Sequence, residues 1–194
     1  MTIRTIKTAM SADEAALMDV VTLAFSTDPG ARWLYPDPHQ YLLHFPHYVK
    51  ALGGNAFGQG SAYYLDGYAG VALWLPPHVH PDEDALMTLL QRTIAERDRE
   101  EVIAVIERIG SYYPTEPHWY LSFIGVDPVR QGQGHGSALL QHALLSCDRD
   151  HMLAYLETSN PKNVPLYKRH GFEILGTIQV GASPSIFPML RKPR

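Results

Sequence analysis

Cysteine is nearly absent from this chain. Cys147 alone among 194 residues rules out an internal disulfide framework and suits a reducing compartment. Long apolar runs are missing too, so no segment offers the roughly 20 consecutive apolar residues of a membrane helix. The opening residues, with Arg4, Lys7, Asp13 and Glu14, contain no apolar signal core. Positive charge is not in excess: 16 Lys and Arg stand against 20 Asp and Glu, which leaves no basic footprint for a nucleic acid. His78-x-His80 and His44-x-x-His47 are not followed by a matching Cys or His pair, so no metal is expected. Neither a low-complexity linker nor an internal repeat divides the sequence, and one hydrophobic core can serve a chain of this length. Residues 1–194 are therefore expected to form a single domain, cytoplasmic, without nucleic-acid or membrane partners; the oligomeric state is left open, a dimer included.

What the chain does contain is a succession of short apolar strands and amphipathic helices. A strand over Ile3 to Thr8 precedes a helix opened by Ser11, with Glu14 three residues on as in a capping box, and running to about Ser26. Residues 26–49 are broken by Pro29, Pro36, Pro38 and Pro46 into turns and at most short helices, an aromatic-rich wall or lid. Asp66-Gly67 between two runs rich in Tyr, Val, Leu and Trp predicts a tight hairpin. Residues 81–110 read as helix, acidic at Asp82 to Asp84, ending at Gly110 and broken near Arg97 to Glu101. "HWYLSFIGV" reads as a buried strand. Leu140, Ala143, Leu144 and Cys147 then share one helical face, which makes Cys147 a core thiol. "MLAYLETS" is a strand, "NVPLYKRHGF" a short helix closed near Gly171, and "EILGTIQV" and "SIFPMLRK" are two final strands. A hairpin mixed with strand–helix crossovers argues for an α+β fold with a mixed sheet.

The segment that carries chemistry is "VDPVRQGQGHGSALL", Val126 to Leu140. A nucleoside-triphosphate loop would need Lys and then Ser or Thr after its last glycine; Ser137, Ala138 and Leu139 stand there instead. A dinucleotide fingerprint finds Gly132 and Gly134 but Ser137 in third place, with Glu157 about twenty residues on where a ribose-binding acid belongs. Its first glycine, however, closes a turn directly off the strand, and here Asp127 to Gln131 intervene. The third possibility is a pyrophosphate held by backbone amides at a helix start, where the helix dipole and the missing Cβ atoms favour a bulky anion. A glycine-rich turn without a ligand stays open beside it.

These residues resemble the acetyl-coenzyme A motif of the GNAT acetyltransferases, in which V-x-P leads from a strand into Q/R-x-x-G-x-G/A and a helix; Gln131, Gly134 and Gly136 hold the three motif positions. Downstream, "LETSNPKNVPLYKRHGF" is similar to that family's N-x-x-A/N-x-x-L-Y-x-x-x-G-F, with Asn160, Asn163, Leu166, Tyr167, Gly171 and Phe172 in place. "AFSTDPGARWLYPD", "GVALWLPP" and "EPHWYLSFIGVDP" look like the puromycin N-acetyltransferase-like branch. The resemblance implies a mixed, mostly antiparallel twisted sheet flanked by helices, with a helical insertion between the third and fourth strands, and acetyl-CoA as co-substrate. It implies that Ile124, Gly125 and Val126 pair with the pantetheine arm, and that the amides from Gln131 through Gly132, Gln133, Gly134, His135 and Gly136 to Ser137 hold the pyrophosphate. The His135 side chain is expected to point outward. Asn160 and Asn163 complete the coenzyme set, Asn160 being read equally as a helix cap.

Acetyl transfer from a thioester to an amine needs a proton for the departing thiolate. The Tyr167 phenol, protonated at neutral pH, suits that role, and the resemblance places it beside the sulfur. Glu157, at a strand end, is the candidate base, with Glu116, His118 and Tyr120 as rivals; desolvation of the amine would lessen the need for any base. The reading is direct transfer to a small-molecule amine, against two alternatives: a protein amine as acceptor, and a non-catalytic acyl-CoA sensor.

Overall fold

The computed structural model describes residues 5–194. Its organising element is a seven-stranded sheet in the order β1-β2-β3-β4-β5-β7-β6. The strands are β1 (Ile6–Thr8), β2 (Ala62–Leu65), β3 (Gly70–Leu75), β4 (His118–Val126), β5 (Leu153–Thr158), β6 (Glu173–Ile174) and β7 (Phe187–Arg191). Only β4 and β5 run parallel; every other pairing is antiparallel. The helices are α1 (Glu14–Ala24), α2 (Pro29–Leu34), α3 (Pro38–Gly53), α4 (Asn55–Gly58), α5 (Glu83–Thr93), α6 (Glu96–Gly110), α7 (His135–Arg149) and α8 (Val164–Arg169). The fold is α+β as expected, with α5 and α6 inserted between the third and fourth strands.

Strand periodicity sorts the core into two layers. Val71, Leu73, Leu75 and Tyr155 face α1 to α6 and pack with Leu17, Val21, Phe45, Val49 and Leu90. Ala72, Trp74, Ala154 and Leu156 face the other way, against Leu139, Leu140, Ala143 and Cys147 of α7 and Tyr167 of α8. Burial pushes the Cys147 thiol up to about 12, so it stays protonated in the core.

One irregularity decides the shape of the sheet. The β3–β4 register runs Leu73 to Phe123 and then Trp74 to Leu121, so Ser122 is an extra residue on β4, a bulge whose hydroxyl donates to the Leu73 carbonyl at 3.1 Å. A bulge bends its strand. Pairing of β4 with β5 accordingly stops at Tyr120 and Tyr155, and beyond it the two parallel strands part. The edge of β4 from Ser122 to Val126 faces the gap without a strand partner.

Several boundaries differ from the sequence reading. Of the first strand, Ile3 and Arg4 lie outside the described residues. Ser11 does not cap α1: a 3-10 turn spans Ser11–Asp13, and the Met10 amide donates to Asp13 Oδ2 at 2.8 Å. Residues 26–49 hold the short helix α2, as expected, and then the start of a sixteen-residue helix, α3, that runs on to Gly53. Asp37 and Pro38 start it as N-cap and first helical residue, and Pro46 is tolerated inside because Tyr41, Phe45 and Val49 bury one face. The hairpin turn is not a two-residue one, since Asp66 to Ala69 separate its strands. The helical break falls at Ile94 and Ala95, both extended, where Ile94 turns into the core. "EILGTIQV" is strand only at Glu173–Ile174, followed by one isolated bridge from Ile178 to Ile186. No helix among the described residues is long and apolar enough to cross a membrane.

Candidate active site

The glycine segment follows β4 through a short 3-10 turn, Pro128–Arg130, capped by the Asp127 carboxylate. Gln131 turns its side chain back, its amide donating to the Val126 carbonyl at 3.1 Å. Gly132 and Gly134 take φ of +74° and +80°. Gly134 is the N-cap of α7, and no side chain caps that helix; the left-handed turn costs glycine little. The first amides of α7 thus lie at the positive end of the helix, the kind of place that suits an anion. Gly136 lies inside the helix, and the Ser137 hydroxyl sits 2.7 Å from His170 Nε2. Burial and the nearby Arg169, Arg191 and Arg194 hold the His170 pKa down. The His135 ring turns inward, both ring nitrogens buried, not outward: as the first residue of α7 it lies against the body of the protein.

Gly125 has a different reason to be glycine. A Cβ there would lie 2.8 Å from Cβ of Ala24, so α1 crosses β4 in direct contact. Ile124 packs toward α7. Asn160 acts as a cap, its side chain accepting from the Lys162 amide at 3.1 Å, while Asn163 stands at the N-cap of α8 without a side-chain cap bond.

On the α1–α6 side of the sheet a cavity of about 710 Å³ opens beside the gap, within the range of small-molecule sites. Glu157 lines it together with the three rival bases, Glu116, His118 and Tyr120. Glu157 and Tyr155 project to the same face of β5. Glu157 Oε1 and the Tyr155 hydroxyl are buried without a hydrogen-bond partner. Burial pushes the Glu157 carboxyl up to about 7, although the neighbouring Tyr120, Tyr155 and Tyr113 phenols pull the other way. A carboxylate poised near neutrality beside an enclosed space is suited to taking a proton.

Tyr167 is not a lining residue of that cavity. It is buried in the α7–α8 layer, its ring edge-on to Phe172 at 6.1 Å between centroids. Its phenol pKa is raised, first by burial and then by the charge of Asp28. Tyr167 and Glu157 therefore belong to opposite faces of the sheet.

Sequence reasoning expects the segment from Asp28 to Tyr48 to wall the acceptor pocket, with the inserted helices, but does not single out Asp28 within it. Its Oδ1 accepts from Ser159 Oγ at 2.7 Å, from the Gly30 amide at 3.0 Å and from the Ala31 amide at 3.1 Å, and the residue lines the cavity. Burial raises its pKa and these three bonds oppose the rise. Asp28-Pro29 is readable in sequence as the start of a helix, but the contact to Ser159 spans 131 positions. No group of three or more His, Cys, Asp or Glu side chains among the described residues forms a metal-ligand set.

Comparison with known proteins bears on the fold and on the kind of domain. A family model described as an acetyltransferase (GNAT) domain matches residues 91–174. An uncharacterized N-acetyltransferase of Schizosaccharomyces pombe is 27% identical over 141 residues, 65% of this chain and 57% of that protein. The chain thus spans little more than half the length of this curated relative. Among solved structures, a histone acetyltransferase HPA2 and related acetyltransferase from Corynebacterium glutamicum superposes with a TM-score of 0.71 at 24% identity, over 98% of this chain and 97% of that one. Arylalkylamine N-acetyltransferase 2 of Aedes aegypti gives 0.69 at 11%, over all of both chains. Drosophila melanogaster polyamine N-acetyltransferase gives 0.65 at 13%, over 97% and 99%. At these identities the structures attest the fold.

Proposed function

This chain belongs to the GNAT acetyltransferase family, and from that premise we propose that it moves an acetyl group from acetyl-CoA to an amine of a small molecule by direct attack. The observation that supports the reading is the end of β4–β5 pairing at Tyr120 and Tyr155, beside a cavity lined by Ser122, Phe123, Glu157 and Ser159. The coenzyme supplies an activated acetyl thioester. The amides from Gln131 to Ser137 bind its pyrophosphate, hydrogen bonds to such a charged group being worth about 1.5–3 kcal/mol each. The unpaired edge of β4 at Ile124, Gly125 and Val126 offers backbone donors and acceptors to the amide groups of the pantetheine arm, and Asn160 and Asn163 border the same channel.

The acceptor enters from the cavity. As its nitrogen bonds to the acetyl carbon and the carbon–sulfur bond breaks, Glu157 takes the proton from nitrogen and Tyr167 donates to the departing sulfur. Burial keeps the Tyr167 phenol protonated at any working pH. Glu157 must be ionised to act, so kcat/KM should rise with pH through about 7. The whole chain serves as one domain in this reading, α5 and α6 roofing the acceptor site.

The test has two stages. Thermal melts with acetyl-CoA, CoA and NAD should show stabilisation by the first two only, about 2.7 kcal/mol at a hundred times the dissociation constant. Release of free thiol across a panel of amines then reports transfer. Stabilisation by NAD alone overturns the reading; coenzyme binding with silence on every amine leaves a sensor instead.

A further inference from the structure

We propose that the acceptor is a small, largely apolar amine bearing no acidic group, and that Asp28 receives its ammonium and so sets which amines are accepted. The inference rests on the acetyl-transfer reading and adds the chemical class of the acceptor.

The permanent charge of the cavity is of one sign. Asp28, Glu83, Glu116 and Glu157 line it, and among the described residues neither Lys nor Arg does; His78, His80 and His118 are its remaining ionisable nitrogen groups. An acceptor with a carboxylate or phosphate would be desolvated there among four carboxyl groups and without a Lys or Arg counter-ion, at a cost that discriminates against it. Its other walls are apolar and aromatic: the Phe45 ring stands 5.9 Å from Phe25, 5.9 Å from Tyr48 and 6.2 Å from Phe123, centroid to centroid, and all four line the space. Such a surface takes an alkyl or aryl body and leaves a single charged end to be placed.

Of the carboxylates, Asp28 is the one built to hold a cation still. Its three hydrogen bonds all end on Oδ1, which fixes the rotamer and leaves Oδ2 without a bond from any described residue. Ser159, which donates the shortest of these bonds, lies two residues beyond Glu157 on the same side of the chain leaving β5. Asp28 also shifts the pKa of Tyr167, so its charge is felt at the far side of the gap. An ammonium bound to Asp28 shares its cavity with the Glu157 carboxylate; one proton passes by way of Glu157 to solvent, and the neutral amine then attacks and gives up its second proton to Glu157.

A matched pair of ligands decides the matter: 2-phenylethylamine, and phenylalanine, which is the same amine with a carboxylate added. Titration calorimetry on CoA-loaded protein should show the amine binding and phenylalanine binding at least about a hundredfold more weakly, the equivalent of leaving one buried charge unpaired. Asp28→Asn keeps the acceptor oxygen for Gly30, Ala31 and Ser159 and remains a good N-cap, so its melting temperature and its CoA affinity should be unchanged. Its affinity for the amine should fall about tenfold or more. Equal binding of the two ligands by the unaltered protein overturns the proposal without recourse to any variant, as does undiminished amine binding by Asp28→Asn. Amine binding that needs Asp28 but yields no N-acetylated product would uphold this site and sink the transfer reading. Acetylation indifferent to Asp28 would do the reverse.

Discussion

Glu157 is held where ionisation costs energy. Its folded pKa, about 7 against an ordinary 4.5, means that the native state keeps a proton which the unfolded chain has already lost between those values. Stability therefore falls as pH rises from about 4.5 to about 7, and stays lower above it. Glu157→Gln should stabilise the protein at pH 8 by as much as about 3 kcal/mol, with no gain at pH 4, while kcat drops and the rise of rate near pH 7 disappears; urea melts at the two pH values and a pH–rate profile check both halves. Tyr167→Phe removes a hydroxyl from a side chain whose ring does the packing. It should leave CoA affinity intact and lower kcat about tenfold to a thousandfold. Both residues are named from sequence, Tyr167 by its place in the motif and Glu157 by its place at a strand end, and the roles these variants test are the proposed ones. Asp28 is not singled out, because a local pattern explains it fully as a helix cap, and only the folded chain brings Ser159 to it.

Among the elements, α7 and α1 carry the geometry. Gly134→Ala would impose a left-handed conformation on a residue with a Cβ, costing about 1–2 kcal/mol, and should weaken CoA binding in titrations beyond that loss of stability, because the same turn aims the amides. Gly125→Val puts its side chain into Ala24; forcing α1 off β4 should destabilise by about 1–3 kcal/mol and be visible as a lower melting temperature. Helices with acidic starts and glycine ends read well from sequence. The longest misreading, α3, came from weighing Pro46 as a helix breaker when the buried stripe of Tyr41, Phe45 and Val49 outweighs it. The last strands misread for the converse reason: residues 175–186 have strand-like composition but are held mostly by packing on α6, where Val105 meets Ile178 and Ile186.

For the molecule as a whole, the far edge of the sheet is tied to α7 by one buried ion pair, Arg191 to Asp148, at 2.8 Å on both branches. Arg191 is 3% exposed, and the pair holds the Asp148 carboxyl below its usual range. A depressed carboxyl contributes stability above its unfolded pKa and loses it as pH falls through the folded one. Arg191→Met should thus cost about 2–3 kcal/mol at pH 7 and little at pH 2, as denaturant melts would show. The succession of elements along the chain was legible from the hairpin and the crossovers, and the inserted helices from the resemblance, whereas the order β5-β7-β6 at the end of the sheet was not. The parting of β4 from β5 was not, because "HWYLSFIGV" is apolar on both sides of Ser122 and an inserted residue leaves no mark in an unbroken apolar run. Ser122 therefore matters as a matter of counting. Substituting it forfeits one hydrogen bond, but deleting it would restore strict alternation with Tyr120 and Phe123 on one face and Leu121 and Ile124 on the other, as they already lie, and should take away the local bend that a bulge imposes. What parts the two parallel strands is thus the number of residues in β4 and not the side chain that Ser122 carries.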